Sequence, residues 1–333
     1  MKSRFRMKSQ FLAAAATAVM TLVGAGALHA QTTTLRMANT LAPTDTHNTA
    51  ARYMAERLKE KTNGALAMTV HPAGVLGNDG SLLDGTRFGS IDMALTGNPF
   101  FTQLAPRLNV MDLPFLFRGA DHAHKVMDGP VGAELLKDLE KHGMKGLAFW
   151  EIGFRHVTNS RRPIRAPEDL KGIKIRTTPN RAHIEAFRLL GANPAPMAFT
   201  ELYLALENRT VDAQENPVNN IHDNRMYEVQ KYMSLTGHAY TASILVINLD
   251  RFNRLPAAQQ QALQEAAREA TLYQRKVNAE LEGGNLQRIK DAGVEVIEKI
   301  DQEPFRKLVA EKVTKSYTDQ FGTEIVQRII ETR

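Results

Sequence analysis

The chain has 333 residues, with 42 Lys and Arg against 36 Asp and Glu, and no cysteine. The missing thiols exclude disulfides, thiol catalysis and a lipid-anchored cysteine. Setting aside Lys2, Arg4, Arg6 and Lys8 leaves 38 basic against 36 acidic residues, a net of +2 in place of +6, which offers no basic stripe for nucleic acid.

Those four cations open the chain, and Phe11 to Leu28 follow without a charge. Residues 1–30 read as a signal peptide with cleavage after Ala30, so that an exported chain begins at Gln31. The uncharged run is also just long enough for a signal anchor, but its Ala- and Thr-rich start and Gly24 and Gly26 favour cleavage. An exported, cysteine-free chain fits a periplasm. The remaining length, about 300 residues, suffices for two lobes with separate cores.

Leu35–Ala38 and Leu66–Val70 read as strands. Between them Ala50, Met54 and Leu58 recur at helical spacing, with Asp45 or Thr46 as the cap and Asn63-Gly64 as the stop. Ser81 is expected to cap a second helix, and Ile91–Leu95 to form a third strand. Leu113–Phe117 reads as buried loop and strand, and Gly146–Trp150 as strand, before a polar, basic crossing from Gly153 to Pro167. A second α/β unit follows. Ile173 and Ile175 alternate with Lys174 and Arg176 as in a strand. Helices are expected around Ile184–Leu190 and Phe199–Leu206, a strand at Asp212–Asn216, and a helix through Tyr227. Ile244–Asn248 returns the chain to a sheet. A long helix opens after Leu255-Pro256, with Gly283-Gly284 as a place to bend or break, and Val294–Ile297 and a last helix complete the chain. The sum is two α/β lobes joined by more than one crossover.

Arg155 and Arg176 fall where strands end, and Asn216 falls in a second such position. A guanidinium offers a planar fork of donors that matches a carboxylate, so this is a vocabulary for holding an organic acid. No G-x-S-x-G, G-x-G-x-x-G or phosphate loop accompanies it. His122 and His124 are two apart and face different sides of a helix, a poor metal pair. The sequence therefore predicts no catalysis, no metal and no cofactor. Asp79, Asp121 and Glu215 read as hydrogen-bonding or lobe-contact residues without a catalytic partner. Trp150 reads equally as cleft wall or core.

With these segments placed, the chain resembles the DctP family, the solute-binding proteins of TRAP transporters, from about Leu35 to about Thr318. The resemblance is carried by G-F-R-H-V-T-N (Gly153–Asn159), D-L-K-G-I-K-I-R (Asp169–Arg176), G-A-N-P-A-P-M-A-F-T-E-L-Y-L-A-L (Gly191–Leu206) and V-D-A-Q-E-N-P (Val211–Pro217). It implies a two-lobe α/β clamp of the Venus-flytrap type with a long helix spanning the lobes. One lobe comprises 31–152 plus 242–281, the other 153–241 plus 282–333. Such a clamp closes on an organic acid and docks on a sodium-coupled membrane permease. The mature chain is expected to be a monomer and not inserted in the membrane.

The resemblance also assigns residues. Arg176 matches the arginine that pairs the ligand carboxylate, Asn216 the asparagine beside it, Arg155 a second arginine of the pocket, and Phe199 an aromatic over the ligand body. Asn39 matches a polar contact from the first lobe, Asn98 a position of ligand-specific contacts, and His238 a position near the cleft. Glu207-Asn208-Arg209 departs from the family pattern, which has glycine before V-D-G-Q-E-N-P. Arginine adopts the left-handed conformation poorly, so Asn208 is expected to take it instead. C4-dicarboxylates such as succinate, malate or fumarate are the favoured ligands, and a uronate or other sugar acid stays open. From another class, an exported enzyme acting on an organic acid would need a general acid or base near Arg176. A ligand-sensing domain would need the N-terminal run as an anchor.

Overall fold

The computed structural model describes residues 32–333, and the expected signal peptide and its cleavage site lie outside the described residues. The first lobe begins with β1 (Thr33–Ala38), α1 (Thr46–Lys61), β2 (Leu66–His71), α2 (Asp79–Phe88) and β3 (Met93–Gly97). Asp45 caps α1 by accepting from His47 N at 2.9 Å. The cap of α2 is Asn78, which accepts from Ser81 N at 3.0 Å, so Ser81 is inside the first turn and not the cap. The short helix α3 (Asn98–Phe101), a 3-10 turn at Pro106–Asp112, α4 (Ala120–Asp128) and α5 (Pro130–Asp138) lead to β4 (Met144–Phe154). Leu113–Phe117 is loop throughout.

Arg155 alone separates β4 from β5 (His156–Asn159), and with that residue the chain passes from one sheet to the other. The second lobe then holds β6 (Lys174–Thr177), α6 (Arg181–Leu189), β7 (Asn193–Pro196), α7 (Leu202–Glu207), β8 (Ala213–Asn216), α8 (Val218–Asp223) and β9 (Tyr232–Ser234). The chain returns through β10 (Tyr240–Asn248) and α9 (Leu249–Asn253) to the long α10 (Ala257–Asp291), and ends in β11 (Glu295–Ile297), α11 (Glu303–Phe321) and α12 (Glu324–Glu331).

The first sheet has the order β2-β1-β3-β10-β4 and the second β11-β9-β5-β8-β6-β7. In the first, β1 lies parallel to β2 and β3, whereas β10 runs antiparallel to β3 and β4. The first two passages, one outward and one returning, are stitched side by side, since Arg155 N donates to Ala239 O at 2.8 Å. The third passage is α10, whose 35 residues run through Gly283-Gly284 without a break. Both glycines are exposed and cost helix propensity of roughly 1 kcal/mol each, but packing on either side of them holds the helix together.

That packing is partly polar. Gln274 accepts from Glu151 N at 2.9 Å and donates to Glu151 O at 2.8 Å, so a side chain of α10 completes the backbone of β4. Asn219 of α8 donates to Asn278 Oδ1 at 2.9 Å and accepts from Asn285 at 2.8 Å. Apolar side chains fill the rest: Met37, Met54, Leu245 and Leu263 share one core cluster with Trp150, which is fully buried and so is core and not cleft wall.

The end of α7 corrects the sequence reading. Asn208 keeps φ −78°, and Arg209 takes the left-handed conformation at φ 57°. The side chain of Arg209 is exposed and makes no hydrogen bond or ion pair among the described residues. Nothing offsets the clash of its Cβ with the backbone, which costs about 1–2 kcal/mol. Arg209→Gly is therefore expected to stabilise the protein by about 1 kcal/mol, less the extra freedom glycine gives the unfolded chain. Urea denaturation measures this, and a lower midpoint in the variant would refute it.

Candidate functional site

Between the two sheets lies a cavity lined from both lobes. Its first-lobe wall is made by Thr40 and Leu41 after β1, Asp79 at the start of α2, Thr96 and Gly97 at the end of β3, and Ser243 on β10. The facing wall comes from Arg155, Arg176, Thr178, Phe199, Asn216 and Asn220. The loop before α2 closes over one side: a Cβ added at Gly74 would sit 3.1 Å from Thr200 Cγ2 of the other lobe, and φ +69° there also favours glycine.

Four of the seven residues expected in the site thus meet on one cavity: Arg155, Arg176, Phe199 and Asn216. Arg176 sits within β6 and is 1% exposed. Its Nε and Nη2 donate to Met197 O at 3.2 and 2.9 Å, which fixes the plane of the guanidinium. The Phe199 ring lies 5.9 Å from its Cζ. Among the described residues Nη1 has no partner and no carboxylate lies within ion-pair distance of Arg176. Burial lowers this guanidinium to about 10, so it stays a cation at neutral pH.

Arg155 is differently placed. It is 2% exposed, and its Nε and Nη2 both bind the carboxylate of Glu215 on β8, the latter at 2.9 Å to Oε1. Nη2 also donates to Asn216 Oδ1 at 3.0 Å, while Asn216 Nδ2 donates to Gln214 at 2.6 Å. Burial alone would raise the Glu215 carboxyl, but the Arg155 charge overrides it and holds the group well below the usual carboxylate range. The charge of Arg155 is therefore spent inside the protein, and Asn216 serves chiefly to orient it.

The structure does not bring the other three expected residues to the wall. Asn39 turns back to bind Asn48 Oδ1 at 2.7 Å and accepts from Leu41 N at 3.0 Å. Asn98 starts α3 and donates to Leu108 O at 3.0 Å and to Asp112. His238 lies behind Glu215, with Nε2 at 3.2 Å from Oε2. Asp112 ties the lobes together at the back of the cavity by accepting from Asn180 at 3.0 Å and Thr241 at 2.9 Å, and burial pushes it up to about 7.

Asp79 is a charged wall residue that the sequence did not assign to the site. It is 2% exposed, and Oδ1 accepts from the hydroxyls of Thr40 (3.1 Å) and Thr96. Oδ2 has no partner. Burial raises its pKa, against the pull of both hydroxyls and of Arg176. In the sequence Asp79 stands ahead of Ser81, the expected cap, and reads as a hydrogen-bonding or lobe-contact residue with no ligand role.

A two-lobe α/β clamp with an unpaired guanidinium buried in its cleft has the form of a solute-binding protein. Comparison with known proteins places it further: the sequence profile of the bacterial extracellular solute-binding protein family 7, DctP, matches residues 37–320, and the chain belongs to that family. It is 42% identical over 301 residues to the 2,3-diketo-L-gulonate-binding periplasmic protein YiaO of Escherichia coli, covering 90% of this chain and 92% of the relative. It is 33% identical over 281 residues to the C4-dicarboxylate-binding periplasmic protein DctP of Rhodobacter capsulatus, covering 82% of this chain and 84% of that one. A TRAP periplasmic solute-binding protein from a Polaromonas species, solved bound to D-erythronate, superposes with a TM-score of 0.88 at 35% identity, over 90% of this chain and 99% of that chain. The family consists of transport binding proteins and not enzymes. Among the described residues no helix is long and apolar enough to cross a membrane.

The pair of Arg155 and Glu215 generates a stability prediction. Glu215→Gln keeps the shape and removes the charge, leaving a buried guanidinium uncompensated, which costs about 3–5 kcal/mol. Replacing both residues with methionine should recover most of that loss. Chemical denaturation of the three proteins decides it, and a Glu215→Gln variant as stable as the parent would overturn the assignment.

Proposed function

We propose that this chain captures a small organic acid by pairing its carboxylate with Arg176 and delivers it to a TRAP-type permease as a monomer. One observation carries the reading: a buried guanidinium, held in plane by Met197 O, reaches a cavity with Nη1 unpaired and no carboxylate within ion-pair distance among the described residues. An anion from outside supplies what is missing. Arg155, Asn216 and Phe199 complete that side of the site. The lobes are assigned as 31–152 plus 242–281 and 153–241 plus 282–333, with the cavity between them. Relatives are described as binding both C4-dicarboxylates and hydroxylated acids, and both classes fit a single-carboxylate anchor.

Truncation of Arg176 to Ala would leave a ligand carboxylate desolvated without its partner, a loss of about 2–5 kcal/mol. At about 1.4 kcal/mol per tenfold, binding weakens by roughly 30- to 4,000-fold. Arg176→Lys keeps the charge but not the fork and should recover part of the loss. Folding should survive, since an unpaired buried cation stabilises nothing in the empty protein. Calorimetry with the best of a panel of organic acids tests this, and a folded Arg176→Ala variant that binds like the parent would place the carboxylate elsewhere.

Export supplies a second test. The basic start, the uncharged run and Ala30 support processing before Gln31 and release into the periplasm. N-terminal sequencing of the protein from the soluble periplasmic fraction should begin within a few residues of Gln31. An intact N-terminus in the membrane fraction would contradict a freely diffusing carrier.

A further inference from the structure

Among the described residues, three polar atoms on the cavity residues are buried and have no hydrogen-bond partner: Asp79 Oδ2, Asn220 Oδ1 and Ser243 Oγ. Two of these are acceptors only, and each needs a donor brought in from outside. We infer that Asp79 is a hydroxyl-reading residue and that the ligand is a polyhydroxylated monocarboxylate, an aldonate or uronate, in preference to a C4-dicarboxylate without hydroxyls; this rests on the carboxylate binding at Arg176.

Charge gives the first reason. Arg155 is matched by Glu215 within the protein, which leaves Arg176 and Asp79 as the remaining opposed charges on the wall. One ligand carboxylate takes Arg176. A second would enter a closed cleft that offers it no further uncompensated cation and would meet the carboxylate of Asp79, an arrangement that like charges in a dry site disfavour. Hydrogen-bond accounting gives the second reason. Succinate and fumarate carry acceptors and no O–H groups when ionised, so Asp79 Oδ2 and Asn220 Oδ1 would stay unsatisfied in a desolvated cleft. Hydroxyls along a sugar-acid chain donate to both, and Ser243 Oγ can donate to or accept from a third. Asp79 is also preset for the task, since Thr40 and Thr96 hold Oδ1 and leave Oδ2 unpaired.

Calorimetry of the exported chain against C4 to C6 aldonates and uronates, with succinate and fumarate as the hydroxyl-free set, decides the matter. The best hydroxylated acid should bind at least about 100-fold more tightly than either diacid, because a diacid leaves two buried acceptors unsatisfied. Asp79→Asn should weaken that acid by roughly 10- to 150-fold, the effect of losing a charge-assisted bond, and should leave or improve succinate binding. Parent protein that holds succinate or fumarate as tightly as the best hydroxylated acid would overturn the inference, even where Asp79→Asn fails to fold. So would an unchanged preference in a folded Asp79→Asn. Succinate binding that becomes tight as the pH falls would overturn it too, because a protonated Asp79 would then be donating to a second carboxylate. These outcomes leave the Arg176 reading intact. That reading fails separately if Arg176→Ala binds the hydroxylated acid as the parent does, and both fail if the parent binds neither set.

Discussion

The buried pair between Arg155 and Glu215 is the constraint on which the site depends. Arg155 is the single residue between β4 and β5, so its guanidinium is committed where one lobe gives way to the other. Both partners are almost fully buried, and removing either would leave the other as an uncompensated buried charge. Their mutual neutralisation separates two arginines that composition treats as equals. Arg155 becomes part of the frame, bonded to Glu215 and Asn216, and Arg176 is left as the cation with unspent charge. His238 supports the same carboxylate from behind, which explains a buried histidine with no ligand of its own.

A second constraint acts along α10. A helix that crosses from one lobe to the other must be held on both sides without a continuous apolar stripe, because its neighbours change along its length. The sequence meets this with buried amides. Gln274 completes the backbone of β4, Asn278 and Asn285 engage Asn219, and Thr46 donates to Asn278 Oδ1 at 3.2 Å. Buried amide bonds of this kind demand a specific register, since a slip of one residue would leave donors and acceptors unsatisfied on both sides. The helix therefore sets where the lobes sit as well as joining them.

Much of the fold was legible because its strands and helices carry strong periodic or capping signals. β1, β2 and α1 follow from alternation, spacing and Asp45, and the family motifs located Arg155, Arg176, Phe199 and Asn216 on the cavity. The failures share a physical cause, which is that local preference was outweighed by context. Gly283-Gly284 did not break α10 because packing on both sides exceeds the propensity cost. Arg209 took the strained conformation because the turn into β8 sets the backbone there whatever residue occupies it. Asn39 and Asn98 are polar residues just past strands, where a ligand contact and a structural bond to the next loop look identical in sequence. Only the positions of Asn48 and Asp112 distinguish the two.

Electrostatics links the frame to binding. A guanidinium buried without a counter-charge destabilises whatever state buries it, and the effective penalty is several kcal/mol before relaxation by water. In a cleft that opens, water removes that penalty. In a closed cleft, the carboxylate of a ligand removes it and also gains two parallel charge-assisted bonds. A single unmatched cation thus makes closure favourable with an anion present and unfavourable without one, provided that no residue of the protein neutralises it first. Glu215 is the carboxylate that acts most strongly on Arg176, and Arg155 holds it. The buried pair is in this sense what keeps Arg176 available.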